Sequence, residues 1–257
     1  MTTRIYCPDI PETAASFSLE GNAAHHVVSV LRAKPGKELV LFDGQDHEFP
    51  AVIERIEKKR VFLRLLGRQH ISRESPLSVH LVQGLSKGDK MDWIVQKAVE
   101  LGAARITPVT TQYSAVKLDG ERLHKKTEHW RAIAVSACEQ CGRNRIPLID
   151  PVCTYEQIIQ KTAEENIFQE RWILHPDQKN AGFTPFEKGG SPQSGRGISL
   201  SKVQINIGPE GGFSDDEAAL ALANGYKMVR IGPRILRTET ASIAVLSVIQ
   251  ALYGDWR

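Results

Sequence analysis

The chain has 257 residues and a formal net charge of +3, and 41% of its residues are hydrophobic, enough for one large or two unequal domains with a real core. Its four cysteines are too few for a disulfide framework, the N-terminus has no apolar signal segment, and no apolar run is long enough to span a membrane. These features predict a cytoplasmic protein with reduced thiols and no membrane partner. Residues 76–146 carry a local excess of positive charge, which permits contact with phosphates without requiring it.

Residues 1–72 predict a small, mainly antiparallel β domain with one helix. The strand candidates alternate apolar and polar residues, and they are "RIYCP", "KELVLFDG", "HEFPAVIERI" and "RVFLRLL". The helix candidate is "NAAHHVVSVLR", which ends at Lys34-Pro35-Gly36. The polar stretch from Arg68 to Pro76 marks the end of this domain.

Residues 73–257 predict an α/β domain, because strand and helix patterns alternate and such alternation favours a parallel sheet covered on both faces. The strand candidates are "LSVHLVQGL", "RITPVTT", "RWILHP", "VQINIG" and "KMVRIG". The helix candidates are "DKMDWIVQKAVELG", residues 121–138, "TYEQIIQKTAEE", the segment after Ser214, and "ETASIAVLSVIQALY". The segment 177–202 is rich in Gly, Ser and Pro and predicts a surface loop, either an inert insertion or a lid.

A glycine-rich turn, "NIGPEGGFSDDE" (206–217), lies between a predicted strand and a predicted helix. Ser214 followed by Glu217 is a capping box, and Asp215 and Asp216 occupy the first helical positions, so carboxylates already sit at the positive end of the helix dipole. The spacing also differs from GxxxxGK[ST] and GxGxxG. The turn therefore predicts a binding wall for a ligand with little negative charge, unless it is a tight turn and nothing more.

A second glycine loop, "IGPRILRTETAS" (231–242), also joins a predicted strand to a predicted helix and carries Arg234 and Arg237. Ligands of open parallel sheets lie beyond the carboxyl ends of the strands, so the two loops and "LHP" (174–176) are expected to line one pocket. The helix that follows is apolar on nearly all sides, which is typical of deep core or of a subunit interface.

These two loops, together with "GLSKGDKMDWIVQKAVELGAARITPV", "SACEQCGRNRIP" and "HHVVSVLRAKPGKELVLFDG", resemble the RsmE family. Its members are S-adenosylmethionine-dependent methyltransferases that modify N3 of a uridine in small-subunit (16S) ribosomal RNA, as naked RNA or in the assembled subunit. The resemblance implies a SPOUT-type parallel sheet with a deep C-terminal trefoil knot and an N-terminal PUA-like RNA-binding β-barrel. It also implies a homodimer with the last helix in the interface.

S-adenosylmethionine carries a sulfonium and no phosphate, so an acidic helix start is no obstacle to it. By resemblance, the cofactor-binding residues are Leu174, His175, Ile207, Gly208, Glu210, Gly211, Ile231, Gly232 and Leu236. Two of them have alternative roles: Glu210 either contacts the ligand or orients the loop, and His175 is either a ligand contact or a structural residue at a strand end.

Methylation at N3 needs an acceptor for the imide proton and donors for the charge that develops on O2 and O4. Arg237 and Arg143 are candidate donors, while Glu239 and Glu139 are candidate acceptors. As alternatives, Glu239 is only a helix-start carboxylate, Glu139 pairs with Arg143, and water takes the proton. The candidates for contact with RNA phosphates are Lys87, Lys90, Lys117, Lys125, Lys126 and Arg145.

The motif "CEQC" (138–141) ends a predicted helix and has no second CxxC, so neither redox chemistry nor a metal site is expected. Three other functions compete with the favoured one. They are a methyltransferase of another RNA base, an RNA-binding homologue without catalysis, and a phosphate-loop nucleotidase, against which the missing lysine and the acidic helix start weigh.

Overall fold

The computed structural model describes residues 2–11, 13–114, 120–175 and 200–256. The chain divides into two compact units, one formed by Met1–Glu74 with Val135–Ile146 and the other by Ser75–Ala134 with Pro147–Arg257. The first division falls between Glu74 and Ser75. The segment Val135–Ile146 differs from the prediction, because it joins the first unit although the pattern along the chain places it in the second.

The first unit is built on a six-stranded, mainly antiparallel sheet with strand order β1-β3-β4-β5-β2, and β6 pairs with β4. Its elements are β1 (Thr3–Tyr6), β2 (Ser16–Leu19), α1 (Gly21–His25), β3 (Glu38–Phe42), β4 (His47–Glu57), β5 (Arg60–Leu65) and β6 (Gln69–His70). A π-helical turn, His26–Val30, continues α1. The predicted strands and helix are confirmed, whereas β2 and β6 were not predicted, and the two residues of β6 are too few to show an alternating pattern.

The core of this unit follows the period of its strands. Alternate residues of β3, β4 and β5 point to one side and are buried, as Leu39, Leu41 and Leu63 are. Ala24 and Val27 of the helical segment belong to the same apolar cluster. The helix thus covers the apolar face of the sheet.

The second unit is built on a seven-stranded sheet in which every pairing is parallel, with strand order β10-β8-β7-β12-β11-β13 and β9 beside β8. The strands are β7 (Ser78–Gly84), β8 (Ala103–Thr110), β9 (Leu148–Ile149), β10 (Cys153–Thr154), β11 (Glu170–Leu174), β12 (Lys202–Ile207) and β13 (Lys227–Val229). The helices are α2 (Lys90–Glu100), α3 (Gly120–Cys141), α4 (Tyr155–Glu165), α5 (Asp215–Ala223) and α6 (Thr238–Tyr253). The predicted α/β class is confirmed, and the two-residue strands β9 and β10 were missed.

A network of buried polar side chains crosses this sheet. The His80 ring contacts Thr107 Oγ1 at 2.7 Å and Gln204 Nε2 at 3.0 Å, and Gln204 Nε2 also donates to Thr162 Oγ1 at 2.9 Å. Burial lowers the pKa of His80 to about 3, so its ring is neutral, with Nδ1 accepting from Gln204 and Nε2 donating to Thr107. Each polar group has a partner, which fixes the neighbouring strands in register.

The carboxyl ends of four strands form one edge of the sheet. The parallel register places Gln83 beside Ile207, Ile207 beside Leu174, and Leu174 beside Val229. From the outer strand β13, residues 230–237 lead to α6. Most of the predicted surface loop at 177–202 lies outside the described residues, but Leu200 is buried and Lys202 begins β12. In the described part of the chain, no helix has the length and apolar character that crossing a membrane requires.

Candidate active site

A cavity of about 490 Å³ opens at this edge of the sheet, within the usual size range of small-molecule sites. Every predicted cofactor-binding residue except Gly232 lines it. Gly232 has φ of +68°, so it provides the left-handed turn after β13. The other described residues that line the cavity are Lys90, Pro209, Gly212, Val229, Arg230, Arg234, Ile235, Arg237, Thr238 and Ala241.

The first loop enters α5 through the predicted capping box. Ser214 Oγ accepts from the Glu217 amide at 3.2 Å, and Glu217 Oε2 accepts from the Ser214 amide at 2.9 Å. Asp215 and Asp216 follow in the first turn. Because the helix start is capped and charged by its own side chains, it lacks the bare amides of a phosphate loop.

The glycines of this loop pack closely against the protein itself. A Cβ on Gly208 would lie 2.8 Å from the carbonyl carbon of Gly212, and one on Gly211 would lie 2.7 Å from Tyr113 Cβ. Any larger residue at either position would force backbone or neighbouring atoms to shift. Gly208 therefore lets the loop fold back on itself, and Gly211 lets it lie against Tyr113, whatever the loop binds.

Glu210 lines the cavity and also ties down the chain between β7 and α2. Its Oε1 accepts from Lys90 Nζ at 2.8 Å and from the Lys87 amide at 3.1 Å. Burial alone would raise the pKa of Glu210, but the bonds from Lys90 and Lys87 outweigh it and the pKa is lower than usual. Of the two predicted roles, the orientation of the loop is the one that these contacts support.

The second loop presents arginines to the cavity. Arg237 occupies the N-cap position of α6, is exposed and lines the cavity, as does Arg234. Within the described ranges no carboxylate forms an ion pair with Arg237. The next residue, Thr238, donates its hydroxyl to the Gly208 carbonyl at 2.7 Å, so the second loop is bonded to the first.

A family model described as an RNA methyltransferase domain matches residues 73–250, and another described as an RNA methyltransferase PUA domain matches residues 19–66. Ribosomal RNA small subunit methyltransferase E of Bacillus subtilis is 33% identical over 248 residues, which cover 95% of this chain and 94% of that protein. The chain belongs to the RsmE family. The predicted fold class, a parallel-sheet methyltransferase domain with an N-terminal PUA-like β domain, is thereby confirmed.

Solved structures of similar proteins agree with this RsmE assignment. The ribosomal RNA small subunit methyltransferase E from Neisseria gonorrhoeae, solved with S-adenosylmethionine, is 32% identical with a TM-score of 0.85, and the match covers 100% of both chains. A Legionella pneumophila protein solved with the same bound cofactor is 41% identical with a TM-score of 0.86, and the match covers 99% of both chains. The likeness of this RsmE chain to these structures extends over both of its units.

The predicted catalytic candidates of this RsmE chain do not all reach the cavity. Glu239 lies in the first turn of α6, but it is not one of the residues that line the cavity. Its Oε2 is buried and has no hydrogen-bond partner among the described residues. Arg237 and Glu239, though two positions apart, thus have different surroundings.

Arg143 and Glu139 belong to the first unit, and neither lines the cavity. Arg143 is buried, and its guanidinium holds Glu74 through Nε at 3.0 Å and through Nη2. Glu139 accepts the backbone amide of Tyr6 at 3.0 Å. Both side chains make contacts that hold the first unit together, and these partners are too distant along the chain to leave a local pattern.

A second buried ion cluster in the first unit was missed from sequence. Glu48 Oε1 accepts from Arg4 at 2.6 Å, from Asn144 at 3.0 Å and from Arg73. Asn144 also donates to the Ile71 carbonyl at 2.7 Å. Together with the Arg143 pair, this cluster joins residues 142–144 to the β-sheet unit.

The predicted RNA contacts have diverse surroundings. Lys125 pairs with Glu121 at 2.6 Å on the surface of α3, and the side chains of Lys87 and Lys126 are exposed. Lys90 is bound to Glu210, and Arg145 pairs with the buried Asp46 at 2.7 Å. Lys117 lies outside the described residues.

The "CEQC" motif ends α3, as expected. Burial raises the pKa of the Cys138 thiol to about 12, so it is protonated at neutral pH and is a poor nucleophile. Among the residues that the structure describes, no group of three or more His, Cys, Asp or Glu side chains is placed to hold a metal ion.

Proposed function

We propose that this RsmE-family chain transfers the methyl group of S-adenosylmethionine to N3 of a uridine in small-subunit ribosomal RNA, with the cofactor in the cavity between the two glycine loops. The observation that carries the proposal is the lining of that cavity. Residues from the end of β11 and from both loops, far apart in the chain, come together there, and the helix that starts beside it is acidic.

The residues present fit this cofactor. Leu174, Ile207, Ile231 and Leu236 give the cavity apolar walls for an adenine ring. The capped start of α5 already holds the carboxylates Asp215, Asp216 and Glu217, so it offers no free positive helix end to a phosphate. When bound, S-adenosylmethionine supplies a methyl group made electrophilic by the sulfonium.

Arg237 is the residue that we assign to the uracil base. Its guanidinium is exposed at the cavity and can donate to O2 or O4, where negative charge develops as N3 loses its proton. The cavity carboxylate Glu210 is held by Lys90, and its lowered pKa makes it a poor proton acceptor. We therefore assign the N3 proton to water, with Glu239 as the alternative acceptor.

The parts of the chain outside the cavity have proposed roles as well. The β domain at residues 1–72 binds RNA, residues 73–257 carry the methyltransferase site, and Lys87, Lys125 and Lys126 contact phosphates. A ribosomal substrate places the protein in the cytoplasm. The strand order β12-β11-β13 and the return of α6 to Gly208 support the trefoil knot that the family resemblance implies.

A homodimer completes the proposal. Helix α6 buries one face in its own unit, while apolar residues of its other face are only partly covered, with Leu252 36% exposed. A second copy would cover this face. Sedimentation of wild-type protein is expected to show a dimer and that of Leu252→Glu a monomer; a monomeric wild type would exclude this assembly.

Two experiments test the function. Calorimetry with S-adenosylmethionine in the absence of magnesium should show binding, and absence of binding would exclude a methyltransferase. N3 methylation blocks the Watson-Crick edge, so reverse transcription of small-subunit RNA should stop at one uridine when the gene is present and read through when it is deleted. A stop that persists after deletion would refute the substrate, and a different modified nucleoside in digested RNA would establish another base.

A further inference from the structure

The two loops of the cavity are held together by a chain of three buried polar side chains. Gln83 ends up at the edge of the sheet beside Ile207, and its Nε2 donates to Thr238 Oγ1 at 2.9 Å. The Thr238 hydroxyl donates in turn to the Gly208 carbonyl at 2.7 Å. Ser242 Oγ donates to Gln83 Oε1 at 2.7 Å.

The direction of these bonds is determined by the groups themselves. An amide N–H can only donate, so Thr238 Oγ1 accepts from Gln83 and has its single proton left for the Gly208 carbonyl. The Ser242 hydroxyl, one turn further along α6, has one proton and two acceptors within reach, the Gln83 carbonyl oxygen at 2.7 Å and the Thr238 carbonyl at 2.9 Å. All three side chains are buried, where the loss of a hydrogen-bond partner is costly.

Gly84, the residue after Gln83, packs directly against the first glycine loop. A Cβ on Gly84 would lie 2.4 Å from Pro209 Cδ and 2.5 Å from Pro209 N. Only glycine therefore lets the end of β7 lie directly against the Gly208-Pro209 peptide. At the end of β7, Gln83 is therefore hydrogen-bonded to Thr238 at the end of the second loop, and Gly84 packs against Pro209 of the first loop.

We propose that Gln83 and Thr238 are positioning residues of the cofactor cavity, which set the first loop against the start of α6. Arg237 directly precedes Thr238, so the same bonds fix the base-facing arginine relative to the wall at Gly208. The proposal rests on the proposed function, because it assigns the purpose of this geometry to cofactor binding and methyl transfer. It adds that the cavity depends on the bonds between the two loops as well as on the glycines within them.

The test compares Thr238→Val with Thr238→Ser. Valine keeps the shape of threonine and removes the hydroxyl. The Gly208 carbonyl then loses this donor, and the Gln83 amide keeps its bond to the Gly84 carbonyl at 3.1 Å, whereas serine keeps both bonds to Thr238. We expect Thr238→Val to weaken S-adenosylmethionine binding about tenfold in calorimetry and to lower kcat at saturating cofactor. Thr238→Ser should bind within about twofold of wild type.

Thr162→Val is the matched control. Thr162 is buried like Thr238, and its hydroxyl oxygen accepts from Gln204, but it lies on α4 and does not line the cavity. Its loss should lower the melting temperature without changing cofactor affinity. If Thr162→Val weakens binding as much as Thr238→Val does at a similar melting temperature, the effect is general destabilisation and the inference is wrong.

The remaining outcomes are equally decisive. Wild-type affinity in Thr238→Val, or a loss in Thr238→Ser as large as that in Thr238→Val, would overturn the positioning role while leaving the proposed function intact. A wild-type protein that does not bind S-adenosylmethionine would overturn both. Should Thr238→Val not fold, Gln83→Met replaces it: we expect about threefold weaker binding, and unchanged affinity would overturn the inference.

Discussion

Two arginine-bearing loops look alike in the sequence and differ in the structure. The segment "CGRNR" (141–145) follows the end of α3, and "GPRILR" (232–237) precedes the start of α6. In the first, Arg143 is buried against Glu74 and Arg145 is paired with Asp46. In the second, Arg234 and Arg237 are exposed and line the cavity.

The difference lies in acids that are distant along the chain. Glu74 stands 69 positions from Arg143, and Glu48 stands 96 positions from Asn144. Arginines of a loop that form ion pairs with such carboxylates stabilise the fold. Arginines without such a pair remain available to bind a ligand. An arginine beside a glycine turn therefore indicates chemistry only once its partners are known.

The largest expected effect comes from Arg237 in the cavity loop. Arg237→Ala should lower kcat about 100-fold, since a donor to developing charge contributes about 3 kcal/mol to the transition state. Cofactor affinity should change by less than about threefold. Methyl transfer to small-subunit RNA and calorimetry with S-adenosylmethionine measure the two; equal losses in both would make Arg237 a binding residue.

Arg143 should behave in the opposite way. Arg143→Met leaves Glu74 without its buried partner and should lower the free energy of unfolding by about 3 kcal/mol, as measured in urea. Adding Glu74→Leu should restore most of this loss, and kcat of the folded protein should stay within about twofold. A large loss of kcat at wild-type stability would instead place Arg143 in catalysis and remove the contrast between the loops.

Acid should weaken the first unit through Glu48. Burial raises the pKa of Glu48, but bonds from Arg73, Arg4 and Asn144 outweigh it, so the folded pKa is below the usual 4.5. The stabilisation is therefore complete above about pH 4.5 and is lost as pH falls below it, by at most about 1.4 kcal/mol per pH unit. Urea unfolding of Glu48→Gln between pH 3 and 7 should show a flatter dependence than wild type; parallel curves would contradict the prediction.

The smallest effect is expected at Lys90, whose ammonium is paired with Glu210 at the cavity. Lys90→Met frees Glu210 and should weaken cofactor binding only two- to threefold, because an ion pair at this exposure contributes about 1 kcal/mol or less. Lys125→Met, which breaks an exposed pair on α3, is the control and should leave affinity unchanged. A tenfold loss in Lys90→Met would show that the Lys90–Glu210 contact matters as much as the Thr238 hydroxyl.

Most of the fold could be predicted because its signals are local. The alternation of apolar residues predicts β3, β4 and β5, and the alternation of strands and helices from β7 onward favours a parallel sheet. The capping box of α5 is visible for the same reason, since Ser214 and Glu217 are three positions apart. Strands of two residues, such as β9, have no period to detect.

The candidate site could be predicted in part. Both glycine loops and the end of β11 were found, because parallel strands deliver their carboxyl ends to one edge of the sheet. Gln83 and Thr238 were missed, because neither the amide in an apolar strand nor the hydroxyl at a helix start indicates that the two side chains are in contact. Val135–Ile146 joined the first unit through partners more than sixty positions away.

The sequence by itself determined the parallel sheet, the two glycine loops and the acidic helix start that makes a phosphate an unsuitable ligand, because periods, caps and turns are written within a few residues. Only the tertiary structure decided which arginines remain available to a ligand and how the two loops are joined. Those outcomes depend on which distant acid, amide or hydroxyl is buried beside a group, and burial is a property of the folded chain.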